Sequence, residues 1–226
     1  MCELLLDVDV VIKLAAYDLF EATAHPGCPA SCNGHRGVIG TTRFVARKRL
    51  KRKAADPRPA QARLDDFLVH DAVELEPTED ELRLAAALEA EAATAGLELD
   101  SGESQLCAIA ILRGMPALLT GDKRAIAAAE SLVNSVAQMA GLSQRVACLE
   151  QAVTLAVERL GALPVRARVL AERGMDKAID ICFQHTNPAV DPDFYPTGLS
   201  SYIKDVRASA PTLLMPGDTL ALPSIA

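Results

Sequence analysis

The sequence predicts an α/β protein, a three-layer α/β/α sandwich with a mainly parallel sheet. Short apolar segments that suit buried strands alternate with longer segments of helical periodicity, and stretches rich in Gly and Pro separate them. The chain has 226 residues, 50% of them hydrophobic, which is enough to form a core without disulfides or a structural metal. We expect one principal domain over residues 1–150 and a helical, partly irregular extension over residues 151–226.

The first part of the chain suits one strand–helix step, a loop, a second helix and a second strand. A short apolar run over residues 3–7 predicts a strand, and the following periodicity predicts a helix to about Ala24. Residues 25–37 are crowded with Gly, Pro, Ser and Asn and predict a loop. Residues 38–53 suit a basic helix that a Pro-containing segment then ends. Residues 68–75 alternate as a strand does.

The middle of the chain carries clearer signals for helix ends. The TEDE motif at residues 78–81 has the form of a capping box, and Gly96 is placed to end the helix that follows. Ser101 can cap a second, largely apolar helix that Gly114 ends. Residues 116–120 are wholly apolar apart from a final Thr, which predicts a strand covered on both faces of a parallel sheet.

The remaining chain is mostly helical before it becomes irregular. A helix is predicted to run up to Gly141, and residues 145–153 suit either a helix or a last strand. From residue 186 onward the chain holds six of its thirteen prolines, which predicts an irregular arm with one short helix. Because this arm also carries large apolar side chains, we expect it to pack on the body or on a second subunit, so a homo-oligomer is one candidate assembly.

Composition restricts the class of protein. Apolar runs fall short of the ~20 residues of a membrane span, and the first residues carry acids where a signal peptide carries Lys or Arg. We therefore expect a cytoplasmic protein that does not contact a membrane. The six cysteines are scattered through apolar segments, which favours reduced thiols over a disulfide framework.

The net charge of −7 conceals one strongly basic segment. Residues 43–53 contain seven basic side chains and no acid, although the whole chain has 30 acidic against 23 basic residues. Such a patch attracts polyanions, because contact with a phosphate backbone releases counterions. A solvated helix face or a charged loop is the alternative interpretation. The predicted phosphate-binding residues are Arg43, Arg47, Lys48, Arg49, Lys51, Arg52 and Lys53.

Acidic residues follow the predicted strands at the points where ligands bind in α/β proteins. Asp7 ends the first strand with Asp9 two residues on, and Asp122 follows the strand at residues 116–120. Glu103 lies in the first turn of the apolar helix, just after Asp100. Carboxylates that converge in a crevice repel one another unless a cation holds them, and Mg²⁺ or Mn²⁺ prefers such oxygen ligands. Each acid could instead cap a helix or face solvent.

Two segments of the chain resemble PIN-domain nucleases. These are LLLDVDVVIKLA near the start and LELDSGESQLCAIAILRGMPALLTGDKRAIAAA, which ends at residue 129. The resemblance covers roughly residues 1–130 and implies a PIN-like nuclease domain that hydrolyses phosphodiester bonds, in RNA in preference to DNA. It also implies that Asp7, Glu103 and Asp122 are catalytic and hold Mg²⁺ or Mn²⁺. The supporting residues that it implies are Asp9, Asp100 and Thr120. By analogy with the family, a toxin-like role and an inhibitor or antitoxin-like partner protein are candidates.

One departure from the family bears on cleavage. PIN domains usually carry a further Glu on the helix after the first loop, but only basic and neutral residues stand between Gly37 and Lys53. This departure keeps open a PIN-like module that binds nucleic acid or protein without cutting.

A second metal site is suggested by the predicted loop. His25, Cys28, Cys32 and His35 follow a His-x2-Cys-x3-Cys-x2-His spacing. Two thiolates and two imidazoles could bind a structural Zn²⁺. A chance grouping of these residue types in a Gly- and Pro-rich loop is the alternative.

A phosphatase of the haloacid dehalogenase type is the competing enzyme class. The DVD segment resembles its opening motif, with Asp7 as nucleophile and Asp9 as general acid. ALLT resembles its second motif, and Asp176 and Asp180 would be late metal ligands. The residues before Asp176 suit a helix rather than the strand that this motif needs, and the lysine expected between the motifs is not clearly placed.

Overall fold

The computed structural model describes residues 4–23, 36–184 and 194–221. The strands are β1 (Leu4–Leu6), β2 (Arg36–Ile39), β3 (Ala72–Leu75), β4 (Ala117–Thr120) and β5 (Val146–Cys148). The helices are α1 (Val8–Tyr17), α2 (Thr42–Lys53), α3 (Pro57–His70), α4 (Glu79–Thr94), α5 (Ser101–Leu112), α6 (Lys123–Ser131), α7 (Leu149–Leu160), α8 (Ala162–Ala171), α9 (Lys177–Gln184) and α10 (Phe194–Ser209). Within these ranges, no helix combines the length and the apolar character needed to cross a membrane.

The five strands form one parallel sheet in the order β3-β2-β1-β4-β5. Side chains of each strand alternate between two apolar clusters, so that Leu4 and Leu6 enter one cluster and Leu5 enters the other. Helices α1, α2, α3, α7, α8 and α9 cover the first face, α4, α5 and α6 cover the second, and α10 contributes to both clusters. The predicted α/β class with a parallel sheet between helical layers is confirmed.

The predicted ends of α4 are also confirmed. The Thr78 hydroxyl accepts a hydrogen bond from the Glu81 N–H (3.3 Å), and the Glu81 carboxylate accepts one from the Thr78 N–H (2.7 Å). This capping box satisfies N–H groups that the first turn of a helix leaves free. Beyond the other end, Gly96 has a φ of +67°, a left-handed conformation that a residue without Cβ adopts readily.

Strand β2 is the main element that sequence reasoning missed, because residues 38–53 were predicted to be a single helix. A Cβ at Gly37 would stand 2.7 Å from Leu75 Cδ1, so the absence of a side chain lets β3 pack closely against β2. The neighbouring Arg36 is buried, with its guanidinium 4.8 Å from the centre of the Phe67 ring. Contacts distant in sequence therefore make this short segment a strand.

Other element bounds differ from the predicted ones. The strand predicted over residues 68–75 begins only at Ala72, because α3 continues to His70. The helix predicted to reach Gly141 ends at Ser131 and is followed by a 3₁₀ segment. The segment that suited either a helix or a strand contains β5.

The C-terminal part of the chain packs against the sheet. The Val146 N–H of β5 donates to the Leu213 carbonyl (3.0 Å), and the Met215 N–H donates to the Val146 carbonyl (2.7 Å). Leu214 forms an isolated parallel bridge with Val146. These contacts attach the segment after α10 to the β5 edge of the sheet. The division into residues 1–150 and 151–226 stays a prediction.

Candidate functional site: the carboxylate crevice

A crevice of about 690 Å³ opens at the carboxyl ends of the central strands. The strand order reverses between β1 and β4, since the chain leaves β1 for α1 on one face of the sheet and leaves β4 for α6 on the other. Such a reversal is the usual ligand-binding position in open α/β sheets. We call this site the carboxylate crevice after the acids that line it: Asp7, Asp9, Asp100, Glu103, Asp122 and Asp176. The basic residues that line it are Lys13, Arg49, Lys123, Arg124 and Lys177.

Asp7 lies deepest among the predicted ligands, with only 7% of its surface exposed. It directly follows β1, and its N–H donates to the Leu119 carbonyl of β4 (3.0 Å). Burial and the nearby charge of Asp9 raise the pKa of the Asp7 carboxyl to about 6, against the opposing effect of hydrogen bonds from Thr120 and the backbone. The fold therefore places this carboxylate where its ionised form is less favourable than in water.

Thr120 connects the ends of β1 and β4. Its hydroxyl donates to the Asp7 carboxylate (3.0 Å) and accepts a hydrogen bond from the Asp122 N–H (3.2 Å). Asp122 is the N-cap of α6, with one carboxylate oxygen accepting from the N–H groups of Arg124 (2.9 Å) and Ala125 (3.2 Å). The side chain of Asp122 is thus held at the crevice by the start of α6.

Glu103 reaches the crevice from α5. Asp100, rather than the predicted Ser101, is the N-cap, and it forms a capping box in which the Asp100 and Glu103 carboxylates each accept from the other residue's N–H (2.8 Å in both cases). Burial raises the pKa of Glu103 to about 7, and the charges of Asp100, Asp122 and Asp7 add to this rise although the hydrogen bond from Asp100 opposes it. The three predicted ligands therefore interact electrostatically.

The ion pairs of Lys13 were not predicted from the sequence. Its ammonium nitrogen lies 2.5 Å from Asp9 Oδ2 and 2.6 Å from Asp176 Oδ2, and the Lys13 side chain is only 8% exposed. Burial lowers the pKa of Lys13, but the two acids outweigh it and raise the pKa above 10.5. A lone lysine four residues after Asp9 on an otherwise apolar helix was the available signal. Asp176 lies in the connection between α8 and α9, and nothing in the sequence around it predicted the ion pair with Lys13.

Gly121 lets the Asp9–Lys13 pair approach the end of β4. A Cβ at this position would stand 2.6 Å from Asp9 Oδ2 and 3.1 Å from Lys13 Nζ. The small residue between Thr120 and Asp122 therefore leaves the space in which the ion pair fits.

The predicted basic patch lies on α2, at the border of the crevice. Arg49 lines the crevice and stands 3.8 Å from Asp9 Oδ1. Arg43 and Arg47 each form an ion pair at 2.7 Å, with acids of β3 and α3 respectively. The remaining basic residues of α2 are exposed: Lys48, Lys51, Arg52 and Lys53.

Carboxylate oxygens are ligands that Mg²⁺ and Mn²⁺ prefer, but the carboxylates of the crevice do not form a closed ligand set. In the described part of the chain, no three acidic, cysteine or histidine side chains lie close enough together to hold a metal ion. Glu103 and Asp122 both use carboxylate oxygens in helix caps. The predicted zinc ligands lie outside the described residues: His25, Cys28, Cys32 and His35.

Comparison of the chain with protein-family models, with curated proteins and with solved structures found no match. The resemblance to PIN-domain nucleases therefore stays a prediction from the sequence.

Proposed function

We propose that the protein is a divalent-metal-dependent endonuclease that hydrolyses phosphodiester bonds in RNA. The observation that carries the proposal is the position of Asp7, Glu103 and Asp122 around one crevice at the reversal of the strand order, with a basic helix at its border. In such an enzyme the carboxylates would bind the ion and the adjacent basic residues would bind phosphates.

Asp7, Glu103 and Asp122 are the residues that would hold Mg²⁺ or Mn²⁺. Lys13 forms ion pairs with Asp9 and Asp176, whereas burial and repulsion from nearby acids keep the pKa of Asp7 and Glu103 high. A divalent cation would remove this repulsion. When bound, the ion supplies an activated water and stabilises charge on the phosphate. Thr120 keeps the Asp7 carboxylate oriented through its hydroxyl.

The basic residues of α2 would bring the nucleic acid to the crevice. Arg49 is both a member of this helix and part of the crevice wall. The exposed lysines and arginines that follow it extend the positive surface away from the carboxylates. A phosphate backbone that lies along α2 would therefore pass the metal ligands. The choice of RNA comes from the resemblance to the PIN family.

Replacing Asp122 with Asn should reduce Mn²⁺-dependent RNA cleavage at least about 100-fold, since a metal ion supplies several kcal/mol of transition-state stabilisation. Folding should be retained, because Asn caps helices as well as Asp does. The measurement is the single-turnover cleavage rate of a labelled RNA, with thermal unfolding as the check on folding.

Asp56 provides a matched control for this change. It is the N-cap of α3 and accepts a hydrogen bond from the Arg58 N–H, but it does not line the crevice. Asp56→Asn should leave the cleavage rate unchanged. Equal rates for Asp122→Asn and the unchanged protein would reject the site. Binding of Mn²⁺ and RNA by the unchanged protein without cleavage would favour the non-cutting module.

The salt dependence of RNA binding tests the role of α2. Changing Arg49, Lys51 and Arg52 together to Ala should flatten the slope of log K against log salt by about 2, because each phosphate contact on a single strand contributes about 0.7. The slope is measured by fluorescence anisotropy in EDTA between low and moderate salt. The control triple variant changes exposed basic residues outside α2 and the crevice: Arg58, Arg83 and Lys204. An unchanged slope in the α2 variant would exclude the helix from the binding surface.

One observation favours the phosphatase as a second candidate. Lys13 and Asp176 line the same crevice as Asp7 and Asp9, and Thr120 donates to Asp7. A haloacid dehalogenase-type phosphatase would use a lysine and a late acid beside its first two aspartates. Hydrolysis of a small phosphomonoester, without action on RNA, would favour this class.

Two further observations weigh against the phosphatase. The connection that carries Asp176 follows the helix α8, not a strand. Asp180, the other late acid, lies in α9 outside the crevice and accepts a hydrogen bond from the Gly174 N–H (2.7 Å). A nuclease site accounts for Glu103 and Asp122, to which the phosphatase assigns no role.

A further inference from the structure

Phe44 is an exposed aromatic residue on the basic helix. Its side chain is 70% exposed, while the buried side of α2 is formed by Thr42, Ala46 and Leu50. Among the large apolar side chains that the described residues expose, it is the sole aromatic one. A single exposed apolar residue needs no explanation by itself, but the surroundings of Phe44 are specific.

Phe44 lies between the crevice and the basic surface. Thr41, the N-cap of α2, and Val45, the residue after Phe44, line the carboxylate crevice. Lys48 and Lys51 follow Phe44 by four and seven residues, a spacing that places all three side chains on one side of a helix. Both lysines are exposed, and within the described residues neither forms an ion pair. Two positive charges that are unpaired among the described residues therefore follow the Phe44 ring on the same side of α2.

Helix geometry places the ring close to the path proposed for the RNA. Phe44 and Arg49 are five residues apart, about 7–8 Å along the helix axis and about 140° around it, so the ring shares its side of α2 with Lys48 and not with Arg49. A strand whose phosphates contact Lys48 and Lys51 would bring a base within reach of the Phe44 ring, and Lys48 is the residue next to Arg49 of the crevice wall. Because α2 contains no acidic residue, it favours a polyanion as its ligand over a protein surface with few acidic residues.

We infer that Phe44 stacks on an unpaired base of the substrate while Lys48 and Lys51 contact its phosphates, so that the protein selects single-stranded RNA. The inference depends on the proposed function for the identity of the polymer. Stacking requires a free base face, and every base has one, so the contact recognises single strands without reading sequence. A fully paired duplex presents no such face to the ring.

Replacing Phe44 with Ala should weaken the binding of a single-stranded RNA about 10-fold. Its slope of log K against log salt should stay unchanged, because no phosphate contact is removed. The measurement is fluorescence anisotropy of a labelled 12-nucleotide RNA in EDTA, so that cleavage does not enter. Leu112→Ala is the matched control. Leu112 is also an exposed apolar residue, but it lies at the C-terminal end of α5, whereas the N-terminal end of that helix is at the crevice.

Replacing Phe44 with Trp gives a direct readout of stacking, because the chain contains no tryptophan. The fluorescence of the introduced indole should be quenched by single-stranded RNA and should change much less with a blunt duplex of the same sequence. The same RNA made abasic at every position should bind the Trp variant without quenching. Leu112→Trp should show no quenching with any of these ligands.

Equal affinities of the unchanged protein and Phe44→Ala for single-stranded RNA would overturn the inference, as would equal quenching by duplex and single strand. These results are separable from a failure of the proposed function. If quenching is observed in EDTA but Mn²⁺ produces no cleavage, the stacking contact stands and the nuclease activity is rejected.

Discussion

Replacing Lys13 with Met is expected to lower the free energy of unfolding by about 3 kcal/mol or more, as the loss of one partner from a buried ion pair does. Met retains the unbranched apolar stem and removes the ammonium group. Asp176 is only 14% exposed, and with Asp9 it would keep a negative charge without the partner at 2.5–2.6 Å. Lys13 has its pKa raised above 10.5, so its stabilisation is complete at pH 7 and is lost only as the pH rises past that raised pKa.

Urea unfolding at pH 7 measures the effect of the Lys13 change. Lys51→Met is the control, because Lys51 is exposed and its replacement should alter the free energy by at most about 0.5 kcal/mol. Adding Asp176→Asn to Lys13→Met should recover part of the loss, since one unpaired charge is then removed. If Lys13→Met is no less stable than Lys51→Met, the ion pairs contribute nothing to the fold.

Replacing Asp7 with Asn should raise the free energy of unfolding at pH 8 by about 3 kcal/mol. The pKa of Asp7 is raised from 3.8 to about 6 in the folded protein, chiefly by burial, and one pKa unit corresponds to about 1.4 kcal/mol. The folded state therefore binds the proton more tightly than the unfolded state does. The penalty is absent below pH 3.8, grows as the pH rises to about 6 and is complete above it. Asn removes the charge and can still accept the Thr120 hydrogen bond.

The measurement is urea unfolding in EDTA between pH 4.5 and pH 8. The free energy of unfolding of the unchanged protein should fall as the pH rises through this range. The variant should lose less, because only Glu103, with its pKa of about 7, then contributes to the fall. Mn²⁺ should stabilise the unchanged protein at pH 8 but have much less effect on Asp7→Asn. Asp66→Asn, an exposed change outside the crevice, should retain the full pH dependence. If Asp7→Asn kept the full pH dependence of stability, Asp7 would not be the carboxyl group whose pKa is raised by burial.

The fold was predictable where local sequence decides the structure. β1 and β4 are continuous apolar runs, as strands covered on both faces of a parallel sheet are. The capping box at Thr78 and the glycine at position 96 are signals that span a few residues. β2 was not predictable in this way, because Arg36 and Gly37 fit a strand only through their neighbours Phe67 and Leu75.

The same distinction applies to the candidate site. The positions of Asp7 and Asp122 beside one another follow from the rule that ligands gather at strand ends, which needs only the strand assignments. Lys13 and Asp176 meet because α1 and the connection before α9 pack together, and no spacing in the sequence encodes that contact. Helix capping by Asp100 was missed because Ser101, the next residue, is an equally good N-cap type.

The pairing of Lys13 with Asp176 has a consequence for synthesis of the protein on the ribosome. Translation delivers Asp7, Glu103 and Asp122 first, whereas residues 176–178, which line the same crevice, emerge much later. Until they emerge, a nascent chain carries the Lys13 ammonium without its second carboxylate partner. The crevice therefore reaches its final charge balance only when most of the polypeptide has left the exit tunnel.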